Sequence, residues 1–158
     1  MTAAVEATRL DRRRWRFLVS PNCPPEIREK LFNSPDIVAE NVRPDFCTLL
    51  CHAAASISQA GYNTATDILT NGIPALMVPH QQLGQNEQWY RAHCLGERGI
   101  VRAIREDRLT PQVLLQTLDR LLRQNLERPA DIYLTSVSTT AHIIASVAPT
   151  GNSRDTKV

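Results

Sequence analysis

The stretch 49–78, LLCHAAASISQAGYNTATDILTNGIPALMV, constrains the fold more than any other part of the chain. Its small and apolar run 54–58 suits a buried parallel strand, and turn-forming residues follow at 59–63. A helix is predicted from there through Leu69, ended by Asn71-Gly72. The apolar run 74–78, closed by Pro79, reads as a second strand. Since parallel neighbours require a crossover, the stretch predicts a strand–helix–strand unit.

The turn before that helix is the first candidate binding site. Gly61 is free to adopt a positive φ and to let a ligand approach the backbone, with Asn63 or Thr64 as the N-cap. A helix that begins at the carboxyl end of a parallel strand offers N–H groups and a positive dipole end to an anion. An ordinary strand-to-helix turn uses the same capping residues, so the residues alone leave both interpretations open.

The rest of the chain continues the alternation of strands and helices. Strands are predicted at 15–20, 36–42 and 100–101, and helices at 25–32, 46–51, 87–98, from Thr110 onward and at 136–146. This order predicts an α/β fold built on a parallel sheet.

Composition narrows the function classes. The net charge of +2 does not favour a nucleic-acid partner, and the arginines at 9–16 are interpreted as part of a disordered basic leader, 1–14. A disordered tail is expected at 149–158. With no secretory signal and no apolar run long enough for a transmembrane segment, we expect a cytoplasmic protein with reduced cysteines.

A metal site is the weaker interpretation of the cysteines. Cys47 and Cys51 lie four residues apart on a predicted helix, with His52 adjacent. A second ligand pair at matching spacing is missing, and His93-Cys94 does not supply it. We therefore expect no metal, with the cysteines packing as small apolar side chains.

Polar side chains follow both strands of the central unit. Asp67 lies one turn into the first helix, where a carboxylate suits ribose hydroxyls or simply the helix dipole. His80 and the cluster 85–88 follow the second strand. Since the carboxyl ends of neighbouring parallel strands share one edge, these groups should converge. No nucleophile motif is present, so no catalytic residue is identified.

The combination SQAGYNTATDILTNGIPALMVP followed by NEQWYRAHCLGERGIV resembles the C-terminal donor-binding domain of family 28 glycosyltransferases. The closer pattern is that of predicted glycosyltransferases, and the N-acetylglucosaminyltransferase of peptidoglycan synthesis, which uses a UDP-sugar, is more distant. The resemblance implies a Rossmann-like three-layer parallel sheet over 15–148, one half of a GT-B fold. It also implies a nucleotide-sugar donor, with UDP favoured, as substrate and no cofactor.

The resemblance also implies roles for individual residues. By this resemblance, the donor diphosphate is bound by Gly61, Tyr62, Asn63 and Thr64, and the ribose is bound by Asp67. The donor sugar is contacted by His80, Glu87 and Gln88. Transfer in this family needs no metal at the diphosphate, because backbone donors and the helix dipole stabilise the leaving group.

Two departures from the family leave the function open. The acceptor-binding half has no counterpart, and neither does the glycine-rich loop that opens the family's donor domain, since residues 1–14 contain no glycine. The first strand here matches the family's second. One interpretation is the donor half of a hexosyltransferase that works with a separate acceptor-domain subunit. The other is a catalytically inactive remnant or a nucleotide-sugar-binding module.

Overall fold

A computed structural model describes residues 2–35, 37–80 and 86–124. The predicted helix 136–146 and tail 149–158 lie outside these ranges. The elements, in chain order, are α1 Thr2–Thr8, β1 Trp15–Val19, α2 Pro25–Phe32, β2 Ile37–Asn41, α3 Phe46–Cys51, β3 Ser56–Ser58, α4 Tyr62–Asn71, β4 Ala75–Met77, α5 Glu87–Glu97, β5 Arg102–Ala103 and α6 Pro111–Arg123. Over these ranges, every helix is too short or too polar to cross a bilayer.

All strand pairs are parallel, which confirms the α/β prediction. β1 pairs with β2, and β3 and β5 pair with the two edges of β4. In the described residues, hydrogen bonding thus divides the strands into a group of two and a group of three rather than one continuous sheet. Ser58 at the end of β3 is in register with Met77 at the end of β4. The loops that leave these two strands therefore start from the same edge.

β4 is the centre of the layered core. All three of its residues are fully buried, and successive side chains point to opposite faces. Ala75 and Met77 face the cluster that contains Ile68 of α4, whereas Leu76 faces the cluster that contains Leu114 of α6. Helices therefore cover both faces of the sheet, the three-layer arrangement that was expected.

Local signals explain two of the helix ends. The Thr110 hydroxyl accepts a hydrogen bond from Val113 N at 3.2 Å, and Pro111 takes the first helical position, as predicted. Gly72 ends α4 with a φ of 66°, the left-handed conformation that favours glycine.

Two predictions were wrong in detail. Ile100 and Val101 are buried residues that precede β5, and α4 begins at Tyr62 with Gly61 as N-cap instead of Asn63 or Thr64.

The prediction of a disordered leader over residues 1–14 was wrong. α1 packs against α6, and Ala7 is fully buried in the cluster of Leu114 and Leu118. Asp11 accepts hydrogen bonds from Arg13 Nε and from Trp15 Nε1, and Arg13 also pairs with a carboxylate of α6, Asp119, at 2.9 Å. Part of the basic cluster therefore holds the first helix in place.

We predict that Ala7→Gln destabilises the protein, whereas Glu6→Gln, at the exposed neighbouring position, does not. Ala7 has no exposed surface, so a longer polar side chain there must either displace α1 or bury an unpaired amide, at a cost of about 2 kcal/mol. Thermal and urea unfolding of the two variants measures the difference. Equal stability of both variants would contradict the packing of α1.

Candidate functional site

The Ala60–Gly61 turn lies at the carboxyl end of β3 and opens α4. Gly61 has a φ of −62° and a ψ of 151°, so it does not use the positive φ that is open to glycine. A Cβ at this position would meet nothing closer than Thr64 Oγ1 at 4.0 Å. Neither backbone conformation nor packing within the described chain therefore requires glycine here.

The start of α4 has backbone donors to offer. Gly61 has no side chain with which to cap the helix, and the first N–H groups of a helix have no partner within it. Tyr62 and Asn63 are exposed, and Thr64 is half-buried. The N-terminal turn of α4 is thus accessible to an anion.

The second loop leaves β4 and enters α5. The backbone N–H of His80 donates to Gln88 Oε1 at 3.1 Å, so a hydrogen bond joins the first turn of α5 to the chain that follows β4. The His80 ring lies 3.3 Å from Glu106 Oε2. Residues 81–85, between His80 and Asn86, fall outside the described ranges.

Arg91 of α5 joins the two loops. Its Nη1 donates to the Ala60 carbonyl oxygen at 2.6 Å, and its Nη2 donates to Glu87. The guanidinium also lies over the ring of Tyr62, at 5.7 Å from the centroid. One side chain therefore contacts the turn, the first residue of α4 and the first residue of α5, so the starts of these two helices lie close together.

Asp67 faces α3. The Cys47 thiol lies 3.6 Å from Asp67 Oδ1, and the Cys51 thiol donates to Asn71 Oδ1 at 2.9 Å, so matching positions of α3 and α4 are paired. Partial desolvation of the exposed thiol, together with the charge of Asp67 and the hydrogen bond to it, raises the pKa of Cys47. Asp67 is half-buried, and within the described residues its Oδ2 atom has no hydrogen-bond partner.

None of the four cysteines, at positions 23, 47, 51 and 94, forms a disulfide. Across the described ranges, no group of three or more His, Cys, Asp or Glu side chains is arranged to hold a metal ion. Cys47 and Cys51 are exposed rather than packed in the core, in contrast to the expectation, because they lie on the side of α3 that faces the polar residues of α4.

Sequence reasoning missed Arg91. The Glu87–Arg91 spacing of four residues on a helix predicts an ion pair, and this signal was available. The hydrogen bond from Arg91 to Ala60 had no such signal, because it joins residues 31 positions apart.

A surface depression elsewhere, on α2, is lined by Glu26, Glu29, Lys30 and Asn33. Its two carboxylates make it a poor site for a diphosphate.

With the two loops placed on one edge of the sheet, comparison with known proteins identifies the family. A sequence model described as "Glycosyltransferase family 28 C-terminal domain" matches residues 26–144, more than half of the chain. The chain belongs to this family. The predicted resemblance is therefore confirmed.

Three similar proteins define how far the likeness extends. A curated Staphylococcus aureus enzyme, UDP-N-acetylglucosamine--N-acetylmuramyl-(pentapeptide) pyrophosphoryl-undecaprenol N-acetylglucosamine transferase, is 36% identical over 52% of this chain and 23% of its own length. MurG from Acinetobacter baumannii has a TM-score of 0.64 at 19% identity, over 79% of this chain and 38% of its own. The glycosyltransferase VinC, solved with DTDP, has a TM-score of 0.61 at 25% identity, over 76% and 28%.

The structural matches establish that the chain has the family fold. Since the chain covers only part of each matched protein, the activities of those whole enzymes are not established for it. The chain spans about a fifth to a quarter of the length of the curated relatives that it matches, between 19% and 26% for the first of them. The predicted GT-B half-fold is confirmed at this level, since these structural neighbours are glycosyltransferases.

We predict that Asp67→Asn speeds the alkylation of Cys47 by iodoacetamide at pH 8. The Asp67 carboxylate contributes to the raised pKa of Cys47, so its replacement by a neutral amide increases the reactive thiolate fraction. Peptide mass spectrometry follows Cys47 separately from Cys51 and Cys94, which serve as internal controls. An unchanged rate would show that Cys47 and Asp67 are not in contact.

Proposed function

We propose that this chain is the donor-binding half of a hexosyltransferase that uses a nucleotide sugar, with UDP as the favoured nucleotide. Membership of the family supports the class of reaction. The Arg91 contacts support the placement of the donor site at this edge of the sheet, because they bring the N-termini of α4 and α5 together. The two helix N-termini supply positive ends for a diphosphate, which suits a metal-free site.

Each predicted residue has a place in this proposal. The backbone of Gly61–Thr64 receives the diphosphate, and the Asp67 carboxylate accepts a hydrogen bond from a ribose hydroxyl. His80 follows β4, and Glu87 and Gln88 form the start of α5, where they would contact the donor sugar. Gln88 must exchange its bond to the His80 backbone, or share it, when a sugar binds. This role assignment follows the family resemblance, and the exposed positions of the first turn of α4 support it.

Glycosyl transfer also needs an acceptor site and a base. The chain covers less than two-fifths of the length of the matched structures. A separate acceptor-domain subunit stays a prediction of the family resemblance. The second candidate is a nucleotide-sugar-binding module without catalysis, since no catalytic base is identified in the described residues. Sugar transfer by the chain in the presence of an acceptor-binding domain distinguishes the two. The free thiols are compatible with the proposed cytoplasmic location.

We predict that calorimetric titration with UDP-, GDP- and dTDP-sugars detects binding, strongest for UDP, and that Asp67→Ala weakens it by about tenfold or more. A hydrogen bond to a charged group contributes about 1.5–3 kcal/mol, which corresponds to that factor. Glu97→Ala, which removes one exposed carboxylate from the other end of α5, is the matched control and should bind as the unmodified chain does.

Absence of heat with every nucleotide sugar would overturn the proposed function. Binding that survives Asp67→Ala but falls in Glu97→Ala would move the site to another part of the surface.

We further predict that Gly61→Ala abolishes donor binding without lowering the melting temperature. The added Cβ would come no closer than 4.0 Å to any described residue and has no strain at a φ of −62°, so the loss is expected to come from contact with the bound donor. Gly72→Ala is the matched control with the opposite expected result. Because Gly72 has a φ of 66°, alanine there should lower the stability by about 1 kcal/mol and leave donor binding unchanged. Unchanged donor affinity in Gly61→Ala would exclude close approach of a ligand to this turn.

A further inference from the structure

Glu87 presents an electrostatic problem for the proposed site. Its side chain is 79% exposed at the first turn of α5, on the same edge as the start of α4, where we place a diphosphate. Two negative groups at one edge repel each other, and the repulsion opposes binding. Something has to offset the charge of Glu87 for the donor to bind there.

Arg91 is placed to do this. It is the ion-pair partner of Glu87, and its side chain is only 19% exposed, so it is held in place rather than free in solvent. Its bond to the Ala60 carbonyl oxygen and the Tyr62 ring beneath it fix the guanidinium beside the turn. The positive charge therefore lies between Glu87 and the start of α4.

The same bond orients the turn. A trans peptide is planar, with its carbonyl oxygen and N–H on opposite sides. Because the Ala60 oxygen points at Arg91, the N–H of Gly61 points away from Arg91 and is not consumed by the pair.

We propose that Arg91 is a positioning residue of the donor site, which neutralises Glu87 and thereby allows a nucleoside diphosphate to bind beside it. The inference rests on the proposed function and adds a residue to which the family resemblance gave no role. Arg91 acts through Glu87 and the turn, and it need not touch the donor.

The test is a double-mutant cycle with UDP as the probe, because UDP has no sugar for Glu87 to contact. We expect Arg91→Gln to weaken UDP binding about tenfold, as a bare carboxylate then faces the diphosphate. Glu87→Gln should bind UDP as tightly as the unmodified chain or more tightly. The double variant should return to within about threefold of it, because the repelling charge is gone.

Two readouts separate this role from a merely structural one. The loss in Arg91→Gln should shrink as NaCl is raised from about 50 to 500 mM, since salt screens exposed charges. Arg91→Lys keeps the charge but not the forked geometry of arginine, and it should bind UDP nearly as well as the unmodified chain does. If Arg91→Gln does not fold, the Arg91→Lys variant serves as the test. Arg120→Gln, on the exposed face of α6, is the matched control for loss of one positive charge.

The outcomes distinguish this inference from the proposed function. If the unmodified chain binds UDP and Glu87→Gln fails to rescue Arg91→Gln, or if Arg91→Lys loses as much as Arg91→Gln, neutralisation by Arg91 is overturned and the donor site stands. If the unmodified chain binds neither UDP nor any nucleotide sugar, the proposed function fails and the inference fails with it.

Discussion

Parallel pairing of β3 with β4 is the constraint on which the rest of the site depends. It sets Ser58 opposite Met77, so the turn before α4 and the loop before α5 must leave the sheet from one edge. The full burial of β4 fixes this pairing, because its three side chains anchor helices on both faces. Slipping the register by one residue would turn Leu76 to the wrong layer.

The pairing places two helix N-termini together, and one side chain then sets their relation. Arg91 contacts the carbonyl of Ala60, the ring of Tyr62 and the carboxylate of Glu87. The charge distribution at this edge follows: two positive helix ends, an acidic side chain and the arginine that pairs with it. This combination accommodates a doubly negative ligand better than either loop would alone.

The sequence predicted the parts of the fold that carry strong local signals. The run 54–58, the Asn71-Gly72 stop and the Thr110-Pro111 start gave the correct elements, because apolar runs and capping residues act within a few positions. β5 was misplaced because a two-residue edge strand is defined by its pairing with Leu76, which is a tertiary contact. α1 was missed because seven residues are too few to show a clear helical period beside an arginine cluster, although alanine favours a helix, and its stability comes from packing on α6.

The candidate site was predictable to a similar degree. The convergence of the two loops followed from parallel topology. The conformation of Gly61 did not, because a glycine N-cap with extended backbone looks the same in sequence as one with a positive φ. The contact between Cys47 and Asp67 and the contact between Arg91 and Ala60 each join different elements, and neither has a local signature. The roles of the eight proposed donor-contacting residues stay predictions.

Amide chemical-shift mapping during addition of UDP tests the central claim most directly. If two helix N-termini at one sheet edge form the donor site, the largest shifts will fall on the backbone amides of 61–64 and on those of Glu87 and Gln88, with small shifts on α2 and α6. Shifts that cluster on α2, or that involve only one of the two loops, would contradict the account.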